Sequence, residues 1–529
     1  MNKKILLLPL IALSLTACLP KSKEESSDTL KIGCVQLGYG TKWLSNIISA
    51  YQQKTGTKVS LKTQVGKTGI GNLDVPVNNG SSEYDLIFNK RGTFEYDCLV
   101  GNFVAKDNKT YSCAYADLTD VYNSVVDANT NKTIKDKMLD NYRDYYNFKD
   151  AQGNDHYYGM SWANGIIGIV RNKTLWDTYF EGEEAPLTTK QLFEYCKEIK
   201  DLSLGKLRGF TYSSDDQYYS GWLNIFLAQY QGVTNFYNII MEGKSLDEYG
   251  QYSVCDNFFG NKGMVETLEV IEELLNPDNK YQDELATSIT FTQMQQSFLG
   301  GDSALFSVNG SWLEFESGSD SSDETDYIKT PIMSSLVKKL SFANAAYSAD
   351  TKDEMLQKLI KYVDGTSKNK VPNTTDQDIE IVREARKASH VESGLDHQCF
   401  IPCAAKNIDK AKDFLKFMYS DEGLNIYYET MNGATLPAVT STGVYRTDMS
   451  SKMSTFRKSI NKEVSEGNVV RLQTKAKFFK LGNVVPYYAN ANVDLVTGFA
   501  NKTATVNDVI NANINYLKDN WDDIALKIF

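Results

Sequence analysis

Histidine is almost missing from this chain of 529 residues: it occurs three times, as His156, His390 and His397. No CxxC pair compensates, so a structural zinc site has little to be built from. Also missing are a GxSxG elbow, an HExxH helix, a GxxxxGK[ST] loop and a GxGxxG at a strand–helix turn, which leaves the commoner hydrolase, metalloprotease and nucleotide chemistries without their residues. No catalytic residue, metal or cofactor is expected. Carboxylates are too plentiful for the pair that a glycan hydrolase needs to stand out. Positive charge is short, with 56 Lys and Arg against 67 Asp and Glu, a net charge of -11 and a pI near 5.1. A nucleic-acid partner needs a basic surface, so none is expected, and polyanions are poor ligands for an acidic one. Internal repeats and a sandwich pattern are missing too, which removes support for a surface adhesin. The segment Asp127–Lys132 (DANTNK) has the look of a calcium loop, but Lys132 stands where the turn glycine belongs and Met138 where the last glutamate belongs.

What is present begins at the N-terminus. Lys3 and Lys4 precede an apolar run from Ile5 to Leu15, then Thr16 and Ala17 lead to Cys18. That run is too short for the roughly 20 residues of a membrane span, and residues 1–17 read as a signal peptide. Leu15-Thr16-Ala17-Cys18 resembles the bacterial lipobox, which implies cleavage before Cys18 and a lipid on its thiol. Residues 18–29 are polar and read as a solvated tether. No later stretch approaches a membrane span, and the remaining chain is long enough for more than one domain. Seven further cysteines cannot all pair; Cys98 with Cys113 and Cys399 with Cys403 are the local candidates, and buried thiols are expected for most.

Residues 30–35 (LKIGCV), 58–63 (KVSLKT) and 84–88 (YDLIF) read as strands. Between the first two, Trp43, Leu44, Ile47, Ile48 and Tyr51 recur at helical spacing. Strands alternating with helices imply a parallel α/β sheet whose ligands sit at the carboxyl ends of the strands, which brings Leu37–Gly40 and Asn89-Lys90-Arg91 to a cleft. Residues 157–172 (YYGMSWANGIIGIVRN) form the hinge candidate, and Thr188 or Thr189 caps a following helix. Residues 327–333 (YIKTPIM) are expected as a second crossing strand, residues 345–390 as a charged helical insertion, and Asn407–Tyr419 as an amphipathic helix.

In their order, YYGMSWANGIIGIVRNKTLWD, PLTTKQLFEYCKEI, FLGGDSALFSVNGSWL and NIDKAKDFLKFMYSDEGLNIYYETMNGATLPA resemble the bacterial extracellular solute-binding proteins, specifically the sugar-binding family that includes maltose-binding protein. The resemblance implies a two-lobed periplasmic-binding-protein-like α/β fold of type II, with three hinge crossings and the ligand in the cleft between the lobes. One lobe is expected from residues 30–165 and 334–432, the other from 166–333 and 433–529. The implied role is capture of a sugar or oligosaccharide for the permease subunits of an ABC importer, with the membrane reached through the lipid anchor on Cys18. A polyamine, iron complex or peptide is the alternative cargo, and a secreted glycan hydrolase the alternative activity.

A sugar presents hydroxyls at its rim and C–H groups on its faces, so its site needs flat aromatics and planar polar groups. With 32 Tyr, 24 Phe and 6 Trp, aromatics are abundant. Trp312, Trp162 and Trp222 with its neighbour Tyr219 are the stacking candidates, each with a place in a core as its plain alternative. Trp43, Trp176 and Trp521, on helices, are expected in cores. Tyr39, Asn89, Arg91, Asn309 and Asn432 are the polar candidates; Asn432 before Gly433 has a helix cap as its alternative, and Asp85 within its strand is expected to be structural.

Overall fold

The computed structural model describes residues 28–65, 80–89, 103–106, 108–127, 130–150, 152–213, 219–237, 262–283, 285–286, 288–318, 323–392, 397–435, 438–439, 452–470, 489–490 and 493–519. The signal peptide, residues 18–27 of the tether with Cys18, Lys90, Arg91 and Trp521 lie outside them. Among the described residues no helix is long and apolar enough to cross a membrane.

Two sheets organise the chain. The first runs in the order Met160–Ser161, Gln398–Phe400, Leu86–Phe88, Leu30–Gln36, Val59–Val65. Leu30–Gln36 pairs parallel with both Val59–Val65 and Leu86–Phe88, as the alternation of strand and helix requires. The helix Lys42–Thr55 covers it, burying Trp43, Leu44, Ile47, Ile48 and Tyr51, and ends at Gly56 in the left-handed conformation with φ +72°. Only glycine takes that conformation without a Cβ penalty, so the helix stops there. Ile408–Met418 adds Ala411, Phe414, Leu415 and Met418 to the same core.

The second sheet runs Arg208–Thr211, Ala304–Gly310, Ile166–Asn172, His390–Glu392, Val469–Val470, with Thr325–Ile328 also paired to Ile166–Asn172. Its central strand is the apolar run seen in the sequence. Gly168, which interrupts that run, makes room for His390: a Cβ on it would come within 2.4 Å of the His390 ring. His390 is fully buried, and burial pushes its pKa down to about 3, so it is a neutral packing residue. The helix Thr189–Leu202 is capped by Thr188, whose hydroxyl accepts from the Gln191 N–H.

The chain passes from the first sheet to the second between Ser161 and Ile166 and returns between Glu392 and Gln398. It leaves again after Asp421–Met431, since Thr455–Ser465 packs on Thr325–Ile328. Two expectations are thereby corrected. Residues 327–333 do not cross: Thr325–Ile328 pairs within the second sheet and leads into the short helix Ser334–Lys339. Residues 334–392 do not join the first lobe. Their helices Ala349–Val363 and Asp376–Lys387 enclose a small core of Leu356, Leu359, Ile360, Ile379 and Val382 with Ile332 and Leu336, against Leu187 of the second lobe. Thr188 donates to Asp353 at 3.0 Å and Gln191 to Gln357 at 3.0 Å, which fixes the insertion there, and Lys338 just before it donates to Glu266 at 2.6 Å.

Cys34, Cys196 and Cys399 are buried thiols, so the Cys399–Cys403 pair is not formed, whereas Cys113 is disulfide-bonded. Burial raises the Cys34 thiol to about 12, which makes it inert. Asp85 is structural, accepting from the backbone N–H groups of Lys31 and Asn407 at 2.9 Å each. Val125–Asp127 and Lys132–Thr133 pair as a hairpin where the calcium loop was considered, and no cluster of metal-ligating side chains occurs among the described residues.

Candidate functional site

Segments of both lobes meet at one seam. From the first lobe come Leu37–Gly40, the loop at the carboxyl end of the first strand, and His397, just before Gln398–Phe400. Residues 162–165 make the first passage, and residues 309–316 continue the strand Ala304–Gly310 from the second lobe. The turn that presents Tyr39 closes on a Gly40 N–H to Leu37 carbonyl bond of 2.7 Å, with Gly40 at φ +64°.

Tyr39 is at the centre. Its hydroxyl lies 2.5 Å from Ser311 Oγ, which in turn accepts the Ile166 N–H at 3.2 Å, so one hydroxyl ties the first lobe to two segments of the second. Burial raises the Tyr39 pKa well above the ordinary tyrosine value, partly offset by its bonds to Ser311 and Thr435, so it stays a neutral phenol. Around it stand Trp312 edge-on at 5.6 Å, Trp162 at 6.0 Å, Phe315 at 6.5 Å and His397 at 5.1 Å. The indole of Trp312 lies against two backbones. A Cβ on Gly38 or on Gly310 would approach it to 2.2 Å, so both positions need glycine for contact rather than for backbone freedom. Trp312 therefore stands at the seam, where it is only 6 % exposed.

A second tie across the seam is polar. Tyr142 of the first lobe donates to the buried carboxylate of Glu392, on the second sheet, and to Asn164 Oδ1 in the first passage at 3.2 Å. At the open rim, Arg457 donates to Glu314 at 2.7 Å with its guanidinium 5.0 Å from the Phe315 ring, and Ser454 donates to the other Glu314 oxygen at 2.6 Å.

The remaining expected site residues divide. Trp162 reaches the seam, yet its inner face stacks on Trp43 at 4.1 Å and its indole N–H donates to Asn89 Oδ1 at 2.8 Å. Asn89, at φ +63°, spends its amide N–H on the Val35 carbonyl, so it braces Trp162 and has no group directed to a ligand. Trp222 is a correction: it lies in the core of the second lobe, stacked on Phe210 at 4.8 Å and against Phe226, because residues 221–230 of its helix Tyr219–Gln231 are all buried. Tyr219 begins that helix, and its side chain lies outside the described residues. Asn432 is the left-handed cap of Asp421–Met431, at φ +44°, with its amide on the Lys452 carbonyl at 3.2 Å. Asn309 is fully buried beside the seam. The residues that sequence reasoning missed are Ser311, His397, Tyr142, Asn164 and Glu392. Ser311 had a signal, since it lies between Gly310 and Trp312; the others are joined by distant segments that no local pattern connects.

A family profile described as bacterial extracellular solute-binding protein matches residues 46–452. The chain belongs to the bacterial extracellular solute-binding proteins. Solved structures with similar folds include maltose-bound MalE3 of T. maritima, at 14% identity and a TM-score of 0.60 over 93% of this chain and 99% of that one. Lmo0181 of Listeria monocytogenes, an ABC substrate-binding protein in complex with cycloalternan, gives 13% identity and a TM-score of 0.60 over 94% and 100%. A solute-binding protein of Thermotoga lettingae bound with α-D-tagatose gives 13% and 0.57 over 93% and 99%. At such identities the likeness carries the fold, which is the two-lobed one. No curated protein matches the sequence. In this solute-binding protein the seam occupies the place between the lobes.

The close approach at Gly38 generates a test. Gly38→Ala puts a methyl group into the Trp312 ring, and overpacking of this kind costs about 1–3 kcal/mol. The substitution should separate the lobes at the seam and red-shift tryptophan emission. In a Trp312→Ala background the same Gly38→Ala change should cost little further, whereas two independent, additive losses would mean that Gly38 and Trp312 are not in contact.

Proposed function

We propose that this solute-binding protein captures a sugar or oligosaccharide between its lobes and delivers it to the permease subunits of an ABC importer, without altering it chemically. The observation that carries the reading is the composition of the seam: Tyr39, Trp162, Trp312 and Phe315 offer aromatic faces and edges for C–H groups, with hydroxyl, amide and carboxylate groups of Ser311, Asn164 and Glu392 beside them. Such a mixture suits a neutral, hydroxyl-rich ligand. It is supported by family membership and by the sugars bound to the similar structures. The three chain passages would serve as hinges, opening the seam to admit the ligand and closing it over both aromatic walls. Tyr39 and Trp312 are the ligand-contacting residues of this reading, one from each side.

A thermal-shift screen of maltose, raffinose and α-D-tagatose, with spermidine, ferric complexes and peptides beside them, tests it. A ligand that binds only the folded state raises the melting temperature by mass action. At least one saccharide should do so and be recovered intact, and Trp312→Ala should weaken its binding by about 1–3 kcal/mol in the folded fraction. Stabilisation by the non-sugar compounds alone would contradict the sugar assignment.

The protein would act from the outer face of the cell membrane, held by lipid on Cys18 after removal of residues 1–17. The tether then lets the two lobes stand clear of the bilayer, and stable anchoring follows from two or more acyl chains. In cells given labelled fatty acid, the wild type should carry label in the membrane fraction and Cys18→Ser should not. Equal labelling of both would refute the anchor.

A further inference from the structure

Two buried amides behind the seam have their hydrogen-bonding groups only half used, and the half left over is defined by chemistry. Gln295, on the helix Phe291–Leu299, and Asn309, on the strand Ala304–Gly310, are both fully buried. Gln295 Nε2 donates to Glu316 Oε2 at 2.7 Å and to Asn309 Oδ1 at 3.2 Å. Asn309 Oδ1 also accepts the Gly310 N–H at 3.0 Å. The Glu316 carboxylate can only accept, so the Gln295 atom facing it is the NH2 group. The Asn309 atom facing that NH2 group and the Gly310 N–H must then be the oxygen. Both amides are thereby held in one orientation. What remains is the Asn309 Nδ2 donor and the Gln295 Oε1 acceptor, neither with a partner among the described residues.

A buried amide group without a partner is costly to keep, so a donor and an acceptor left open on two bonded amides would be relieved by an occupant that satisfies them. A hydroxyl group meets both needs at once, because it accepts and donates through one oxygen. The position agrees with this. Asn309 precedes Gly310, which the Trp312 ring covers, and its carbonyl accepts from Tyr327 at 2.9 Å, which holds the strand end in place. Glu316 is close enough for its charge to help raise the Tyr39 pKa.

We infer that Gln295 and Asn309 form a hydroxyl-binding pair of the second lobe, receiving one ligand hydroxyl when the lobes open, and that Glu316 is the positioning residue that sets their orientation. This rests on the sugar reading and goes further by naming the group recognised and the side chains that recognise it.

The test is a thermodynamic cycle, using whichever of maltose, raffinose and α-D-tagatose most raises the wild-type melting temperature, together with its monodeoxy analogues. For the wild type, one analogue should bind about tenfold more weakly than the parent sugar, the scale of one hydrogen bond. Gln295→Met, close to it in volume, should bind the parent about tenfold more weakly and lose nothing further with that analogue. A merely structural role would lower affinity for the parent and every analogue alike, and that result, or unchanged affinity, would overturn the inference and leave a buried water as the occupant. If Gln295→Met fails to fold, Glu316→Gln at its half-buried site takes its place in the same cycle; it should reduce discrimination against that one analogue, and full wild-type discrimination would overturn the inference. A wild type stabilised by none of the three sugars would remove the sugar reading and this inference together, whereas sugar binding without the selective loss removes this inference alone.

Discussion

The indole of Trp312 pressed against the backbones of Gly38 and Gly310 is the contact on which the seam depends. One glycine belongs to the first lobe and the other ends a strand of the second, so the ring is bounded by both. Its close fit needs the absence of two side chains, and the fit then sets where Tyr39 and Ser311 meet. A hydroxyl bond of 2.5 Å between those two residues and the Tyr142–Glu392 bond follow from the same approach. Separation of the lobes would release an aromatic wall, two hydroxyl groups and a buried carboxylate together. A neutral ligand rich in hydroxyls and C–H faces is the kind of molecule that could replace those contacts on closure.

Much of this was legible in the chain because local patterns carried it. The spacing of Trp43, Leu44, Ile47, Ile48 and Tyr51 marks one buried helix face, and the apolar run at 166–170 marks the central strand of the second sheet. The loop Gly310-Ser311-Trp312 also declared itself, since glycine and serine beside a tryptophan suit a tight approach. Other features depend on neighbours distant in the chain. Trp222 follows Gly221 and two tyrosines, as a binding-loop tryptophan would, but a helix enclosed by the second-lobe core takes it inward. Asn89 is polar and ends a strand at the seam, yet Val35 and Trp162 use its amide before a ligand could. The insertion was legible as helical; its attachment to the second lobe rests on Thr188–Asp353 and Gln191–Gln357, pairs that no local spacing announces.

The scarce histidines show how far placement overrides residue type. His390 is a neutral ring packed over Gly168, and His397 lies among Tyr39, Trp162 and Trp312. His156 is paired with two carboxylates, Asp117 at 2.6 Å and Asp150 at 3.4 Å, at a half-buried site away from the seam. The first-lobe and second-lobe histidines at the interior thus act as aromatic packing. The polar work at the seam falls to hydroxyl, amide and carboxylate groups, which suit an uncharged, hydroxyl-rich ligand.

Hydrogen exchange read by mass spectrometry, with and without a saturating saccharide, tests the central claim most directly, because protection reports which backbone segments the ligand closes over. The account predicts that protection concentrates in residues 36–41, 162–166, 309–316 and 397–400, segments from both lobes, and rises together as the sugar is added. Protection confined to one lobe, or centred on the helices Ala349–Val363 and Asp376–Lys387 far from the seam, would contradict it.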